Sequence, residues 1–300
     1  MKGKVKRRVI AWVLSFALVM GTVLGGPGLF MKAHAADAGV LYIIDSIGGT
    51  PESVTEDCTD SAGGWSYDAG TATLTLDGFQ GEYIEANGDI NIVLKGKNKI
   101  TISAESTEGI KSTGKVTIDD TISPVQDCLD IYCNDGTESV SMIYTGGFGA
   151  DYATYIVGGT VNLVEENTRR RYVTGISRWA YVENDASLNI NLSADGGRNG
   201  AAALLNLNTS GDTSFRVNSL SSSSYGVYSL DKKGSGDTAL TAEGKAKNIG
   251  NKFTVGSTGN TGKITIKGYL TDFTPYRKKN RIVGVDNFLW SYFTENPQTG

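Results

Sequence analysis

Histidine is nearly absent from this 300-residue chain: the single one is His34. It lies behind a basic start, Lys2, Lys4, Lys6, Arg7 and Arg8, and an apolar run from Val9 to Leu24, inside the small-x-small pattern Ala33-His34-Ala35. That order of features is the mark of a secretory signal, expected to be cut between Ala35 and Ala36. Gly25, Gly26, Pro27 and Gly28 interrupt the apolar run before it reaches the about 20 residues a membrane span needs. The membrane is therefore expected as a partner only in transit. Cleavage discards His34, and with it every mechanism that depends on an imidazole base or a histidine metal ligand.

Basic residues are also scarce once the leader is gone. Residues 36–300 hold 22 Lys and Arg against 32 Asp and Glu, a formal charge of −10. A body so acidic lacks the basic footprint that nucleic-acid phosphates require, so nucleic acid is excluded as a partner. Cysteine is limited to Cys58, Cys128 and Cys133, an odd number that cannot form a disulfide framework. Two readings stay open for Cys128 and Cys133: a local clip, or small buried apolar residues. Proline numbers five, which suits interior strands that must donate each N–H. No stretch beyond residue 35 sustains a helical period.

Alternation is what the chain has in abundance. Leu74 and Leu76, Ile90, Ile92 and Leu94, Val116 and Ile118, Leu129 and Ile131, Val161 and Leu163, Leu188, Ile190 and Leu192, Phe215 and Val217, and Ile264 and Ile266 each skip one residue. Polar residues fill the gaps, so one side of each segment faces a core and the other faces water. Shorter strands are expected at Gly109-Ile110, Gly175-Ile176, Tyr225 to Tyr228 and Asn248-Ile249. Glycines after several segments, among them Gly196, Gly244 and Gly268, suggest a late repeat of about 23 or about 24 residues, within the range of solenoid repeats. A repeat of that length, holding two or three short strands, is one rung of a parallel β-solenoid, and roughly nine rungs are expected. The alternative all-β architecture, a β-sandwich, would place turns about every 8–12 residues.

The expected organisation is a signal peptide at 1–35, an N-terminal cap at 36–72, solenoid repeats at 73–268, a cap or linker at 269–295 and a terminal motif at 296–300. Val40 to Ile44 with Trp65 and Tyr67 would close the first end. Phe273, Tyr276, Phe288, Leu289, Trp290, Tyr292 and Phe293 would close the last. The middle, about 134–183, alternates poorly and reads as irregular rungs with long loops on one face.

The run from Trp65 to Thr101 resembles the repeat of secreted and surface β-helix proteins of Firmicutes, often labelled carbohydrate-binding-domain proteins. The matching pieces are Trp65-x-Tyr67-Asp68, Leu74-Thr75-Leu76-Asp77-Gly78 and Asn91-Ile92-Val93-Leu94-Lys95-Gly96. The resemblance implies a right-handed parallel β-helix, an extracellular location, and contact with polysaccharide or a host or cell-surface glycan. It assigns no chemistry to any residue. Asn296-Pro297-Gln298-Thr299-Gly300 resembles a sortase signal of the NPxTG kind, which implies sortase and peptidoglycan as partners. In such signals an apolar span and a basic tail follow the pentapeptide, so both are expected beyond Gly300.

Glycan binding asks for aromatic faces flanked by hydrogen-bonding side chains. Arg178, Trp179, Tyr181 and Asn184 offer that combination in the middle of the chain. Hydrolysis asks for two carboxylates across a cleft, for which Asp119, Asp120, Asp127, Asp130 and Asp135 are the dense acidic group. A lyase would draw on Arg169, Arg170 and Arg171 near Glu165 and Glu166. For both groups a solvated turn is the competing reading. No cofactor is expected; a structural calcium could use turn Asp and Asn, although no acidic run has the spacing of a defined calcium loop. Arg277-Lys278-Lys279-Asn280-Arg281 could meet anionic wall polymers. Three functions follow: a wall-attached glycan-binding or adhesive protein, a β-helix lyase or hydrolase, or a stalk with no ligand.

Overall fold

The computed structural model describes residues 40–267, apart from 47, 105, 121–126, 137, 167–168, 171, 194–197, 222 and 261, together with 288–290. The leader with Ala33, Ala35 and Ala36, the basic run 277–281, the terminal motif 296–300 and the aromatics Phe273, Tyr276, Tyr292 and Phe293 lie outside the described residues. Among the described residues the chain is almost wholly strand, with one 3-10 turn at Ala150–Tyr152.

The strands wind as a parallel β-solenoid with three faces. Face 2 starts the first coil at Thr73–Asp77, face 3 follows at Gln80–Gly81, face 1 at Tyr83–Ala86, and the next coil begins at Ile90–Lys95. Each strand then pairs in parallel with its counterpart one coil on. From Tyr172 onward faces 1 and 2 share long strands, Tyr172–Asn184, Arg198–Thr209, Tyr225–Gly234 and Lys247–Asn260. Face 3 is a separate nine-stranded sheet, in agreement with about nine rungs. Because every third strand pairs across a whole coil, a sandwich of hairpins is excluded for this part of the chain.

Parallel stacking aligns like residues into ladders. Leu74, Ile92, Ile118, Ile156, Val182 and Leu207 form one inward row on face 2. Ile100, Ile131, Leu163, Ile190, Phe215 and Leu240 form another on face 3. All twelve are at most 2% exposed, and burying each contributes about 1.5–3 kcal/mol before entropy is charged. The short strands expected at Ile110, Ile176, Val227 and Ile249 are the inward row of face 1, and all four side chains are buried.

Leu41–Ile44 lies antiparallel on Tyr83–Ala86, and Trp65–Asp68 lies antiparallel on Thr73–Asp77, so both exposed edges of the first coil on faces 1 and 2 are paired. Val40, Leu41, Ile43, Trp65 and Tyr67 are buried there. At the far end Phe288–Trp290 pairs in parallel with Ile264, Thr265 and Ile266, so that piece continues face 3 as another rung.

Three expectations are corrected. The late repeat is 25, 25 and 26 residues, read along the bonded pairs Asn189 and Ser214, Thr213 and Thr238, and Asp237 and Lys263. The glycine markers gave a shorter period because Gly244 aligns with Ser219 and not with a glycine. The middle has the expected long loop, between Val140–Thr145 and Thr154–Ile156, but its strands are regular: Thr160–Glu166 and Tyr172–Asn184 hold parallel register with both neighbours, broken by one shift between Ile176 and Trp179. Its alternation looks broken because face 1 buries two successive residues, as at Gly175 and Ile176. A clip between Cys128 and Cys133 is ruled out, since both are free and sit at the two ends of one extended strand, about 16 Å apart, beyond any disulfide.

Candidate functional site

The inserted loop between the strands Val140–Thr145 and Thr154–Ile156 holds the 3-10 turn and projects at the corner of faces 1 and 2. The step that contains it, between the direct ladder partners Ile118 and Ile156, is longer in sequence than any other in their row. Two of the four glycan-binding residues expected from sequence converge on this loop. The Arg178 guanidinium lies 4.0 Å from the ring centroid of Phe148, which is 73% exposed at the loop tip. Tyr181 stacks on Tyr155, with centroids 4.7 Å apart and planes 7° from parallel.

The tyrosine stack follows from register. Thr117, Tyr155 and Tyr181 occupy one outward row of face 2, with Asn91 before Thr117 and Asn206 after Tyr181. Strands stacked about 4.8 Å apart leave room for two rings face to face. Thr117 is too small to cover the second face of Tyr155, and a cleft of about 700 Å³ opens there. Asp89, Lys115, Asp151 and Tyr152 line it with Tyr155. Lys115 Nζ lies 5.9 Å from the Tyr155 centroid. Tyr152 is braced over Gly147, where any Cβ would collide with its ring. Burial, then the neighbouring Tyr181, Glu183 and Asp151, hold the Tyr155 hydroxyl above its ordinary pKa, so it stays a neutral donor and acceptor.

The other two expected residues do different work. Trp179 is half-buried at the register shift where face 1 bends into face 2. Asn184 has φ 56°, a left-handed conformation that Asn tolerates, and its side-chain amide donates to the Val157 carbonyl at 3.3 Å. It shapes a corner. Sequence reasoning missed Tyr155, Lys115, Asp89, Asp151 and Tyr152. The signal was present: Thr154-Tyr155-Ile156 and Ala180-Tyr181-Val182 are two copies of one rung.

The acidic group expected for hydrolysis is divided. Asp130 points out from face 3, and Asp135 forms a salt bridge with Arg169 at 2.9 Å. Asp119, Asp120 and Asp127 do come together, joined by Asp185 from the second next coil, at the corner of faces 2 and 3. Burial and the charges of Asp185, Asp119 and Asp127 raise the Asp120 carboxyl above its ordinary value. Among the described residues no three acidic, His or Cys side chains are placed to hold a metal ion. The basic group expected for a lyase is divided too: Arg170 and Glu165 are fully buried, and Arg171 lies outside the described residues.

The Asp120 cluster has a measurable consequence. A carboxyl with a raised folded-state pKa destabilises the fold where it is ionised, above that pKa, and is neutral in both states below about pH 4. Asp120→Asn should therefore raise the melting temperature at pH 7–8, and the gain should vanish as pH falls towards 4. Equal melting curves at pH 8 would show that the cluster carries no strain.

No family model, no curated protein and no solved structure matches the chain.

Proposed function

We propose that this chain is an exported, wall-attached surface protein that binds polysaccharide at the Tyr155 cleft. The observation that carries the reading is the stacked pair Tyr155 and Tyr181 beside a cleft lined by Asp89, Lys115 and Asp151. A pyranose presents C–H faces to an aromatic ring and hydroxyls around its rim, and this cleft offers both complements. Its volume lies in the usual range for small-ligand sites, about 300–1,000 Å³. The leader pattern, the acidic body and the NPxTG-like ending support an extracellular place for it.

Incubation with pectins, mucin glycans and wall polysaccharides tests the reading. Retention without cleavage is the expected result, and Tyr155→Ala should weaken it about tenfold, the loss typical of a central aromatic contact. New reducing ends or unsaturated products would establish a lyase or hydrolase, and no retention on any of them would leave a stalk. Wall attachment has its own test: the coding sequence after Gly300 should supply about 20 apolar residues and a basic end. A stop codon there would end that part of the proposal.

A further inference from the structure

Face 3 carries a second polar surface, on a different side of the solenoid from the Tyr155 cleft. Ser214 Oγ donates to Asn189 Oδ1 at 2.7 Å, Asn189 Nδ2 donates to Asn162 Oδ1 at 2.9 Å, and Asn162 Nδ2 donates to Asp130 Oδ1 at 2.6 Å. All three donors point towards the N-terminal coils, so the dipoles reinforce one another and end on a carboxylate. One row over, Arg216 donates to Asn191 Oδ1 at 3.2 Å and Asn191 Nδ2 donates to Glu166 Oε1 at 2.7 Å, while Arg216 pairs with Glu243. Between the two ladders runs a groove of about 420 Å³, with Tyr132, 37% exposed, at one end and Arg216 at the other.

We propose that this groove binds a straight, uncharged glycan chain of about three sugars, lying parallel to the solenoid axis. The ladders use one hydrogen on each amide nitrogen and leave the second for a ligand, and each amide oxygen keeps a second lone pair. The result is a donor and an acceptor repeated at every coil, the complement of a sugar's adjacent hydroxyls. Coils rise about 4.8 Å, close to the length of one pyranose in an extended chain, and the groove crosses four strands, about 15 Å. An extended β-1,4 chain keeps this step, whereas an α-1,4-glucan curls away from it. Asp130, Glu166 and Glu243 outnumber Arg216 and Lys99, which disfavours a polyanion. Tyr132 supplies the stacking platform for the end sugar, with Lys99 on its ring at 4.8 Å.

Calorimetric titration of the protein with cellohexaose and chitohexaose tests this. At least one should bind, with the trisaccharide within about threefold of the hexasaccharide. Tyr132→Ala and Asn189→Ala should each weaken it at least tenfold, and Tyr228→Ala, at an exposed residue that lines neither the cleft nor the groove, should leave it unchanged. Tyr132 is exposed and its variant folds even where loss of the Asn189 rung does not. Binding lost in Tyr155→Ala alone would overturn this proposal and leave the cleft reading standing; binding lost in the face 3 variants alone would do the reverse for these ligands. Binding of neither hexasaccharide overturns the face 3 proposal, including the case in which Asn189→Ala merely lowers the melting temperature. A concentration-dependent dimer abolished by Asn189→Arg would show that a second copy covers the groove, and would overturn it as well.

Discussion

Arg170→Met should cost about 3–5 kcal/mol, the range for breaking a buried charge network by removing one member. Arg170 is 0% exposed and reaches across three coils. Its Nε donates to the Asn134 carbonyl at 2.9 Å, one terminal nitrogen to Ser103 at 2.6 Å, and the other to Ser106 at 3.1 Å and Glu138 at 3.4 Å. These carbonyls belong to the corner loops of the two preceding coils, so one planar guanidinium ties the corners of faces 3 and 1 together. Glu165, also 0% exposed, and Cys133 lie beside it. Burial pushes the Cys133 thiol up to about 12, against the opposing pull of Arg170. The variant takes the guanidinium donor from all four carbonyls, leaving Ser103 with the Ser106 N–H at 3.3 Å and Asn134 with the Cys133 thiol at 3.5 Å. Arg170→Lys should recover little, because an ammonium cannot span the fork. A solenoid melts by neighbouring rungs, so amide hydrogen exchange should accelerate in residues 97–145 while residues 213–244 keep their protection. A melting temperature within about 2 °C of the parent would mean that water replaces the guanidinium without cost; the expected fall is about 10 °C.

The solenoid itself was legible because period-two alternation is a property of each strand alone. Leu129 and Ile131 announce their rung without reference to any neighbour. Register was harder, because it depends on loop lengths that differ from coil to coil: the step from Ile100 to Ile131 is longer than the step from Ile190 to Phe215, although each joins direct ladder partners. The glycines chosen as repeat markers misled by sitting at unlike places. Ser210-Gly211-Asp212-Thr213 and Ser235-Gly236-Asp237-Thr238 are identical tetrapeptides one coil apart and give the true period. Sites were harder still. Tyr155 becomes notable only beside Tyr181, and Asn162 only beneath Asn189, once the register is known. Arg170 was hidden for a different reason: within Arg169-Arg170-Arg171 it looks like a solvated charge, and its burial is decided by carbonyls 32 to 67 residues earlier in the chain.

Gly236→Ala is expected to cost about 3 kcal/mol, at the upper end for an atom forced into a packed interior. Gly211, Gly236 and Gly262 stack at the corner of faces 2 and 3, each with its Cα beneath a carbonyl of the preceding coil. A Cβ on Gly211 would overlap the Ala186 oxygen, one on Gly236 the Gly211 oxygen, and one on Gly262 the Gly236 oxygen. The obstacle is backbone, which cannot swing away as a side-chain end would. The corner is also pinned: Gly236 N donates to the Thr209 carbonyl at 2.9 Å, and Asp212 and Asp237 each accept the backbone N–H one coil on, at 2.8 Å. Separating two coils there to admit a methyl would stretch all of these bonds together. Gly78→Ala is the natural comparison, for its φ of 75° needs glycine yet nothing stands within 4 Å of the added atom. Conformational strain alone should cost about 1–2 kcal/mol at Gly78. Denaturant unfolding of the two variants side by side separates crowding from strain. If Gly236→Ala costs no more than Gly78→Ala, the corner carbonyls yield freely, and coil spacing on that edge is set by the inward aliphatic ladders.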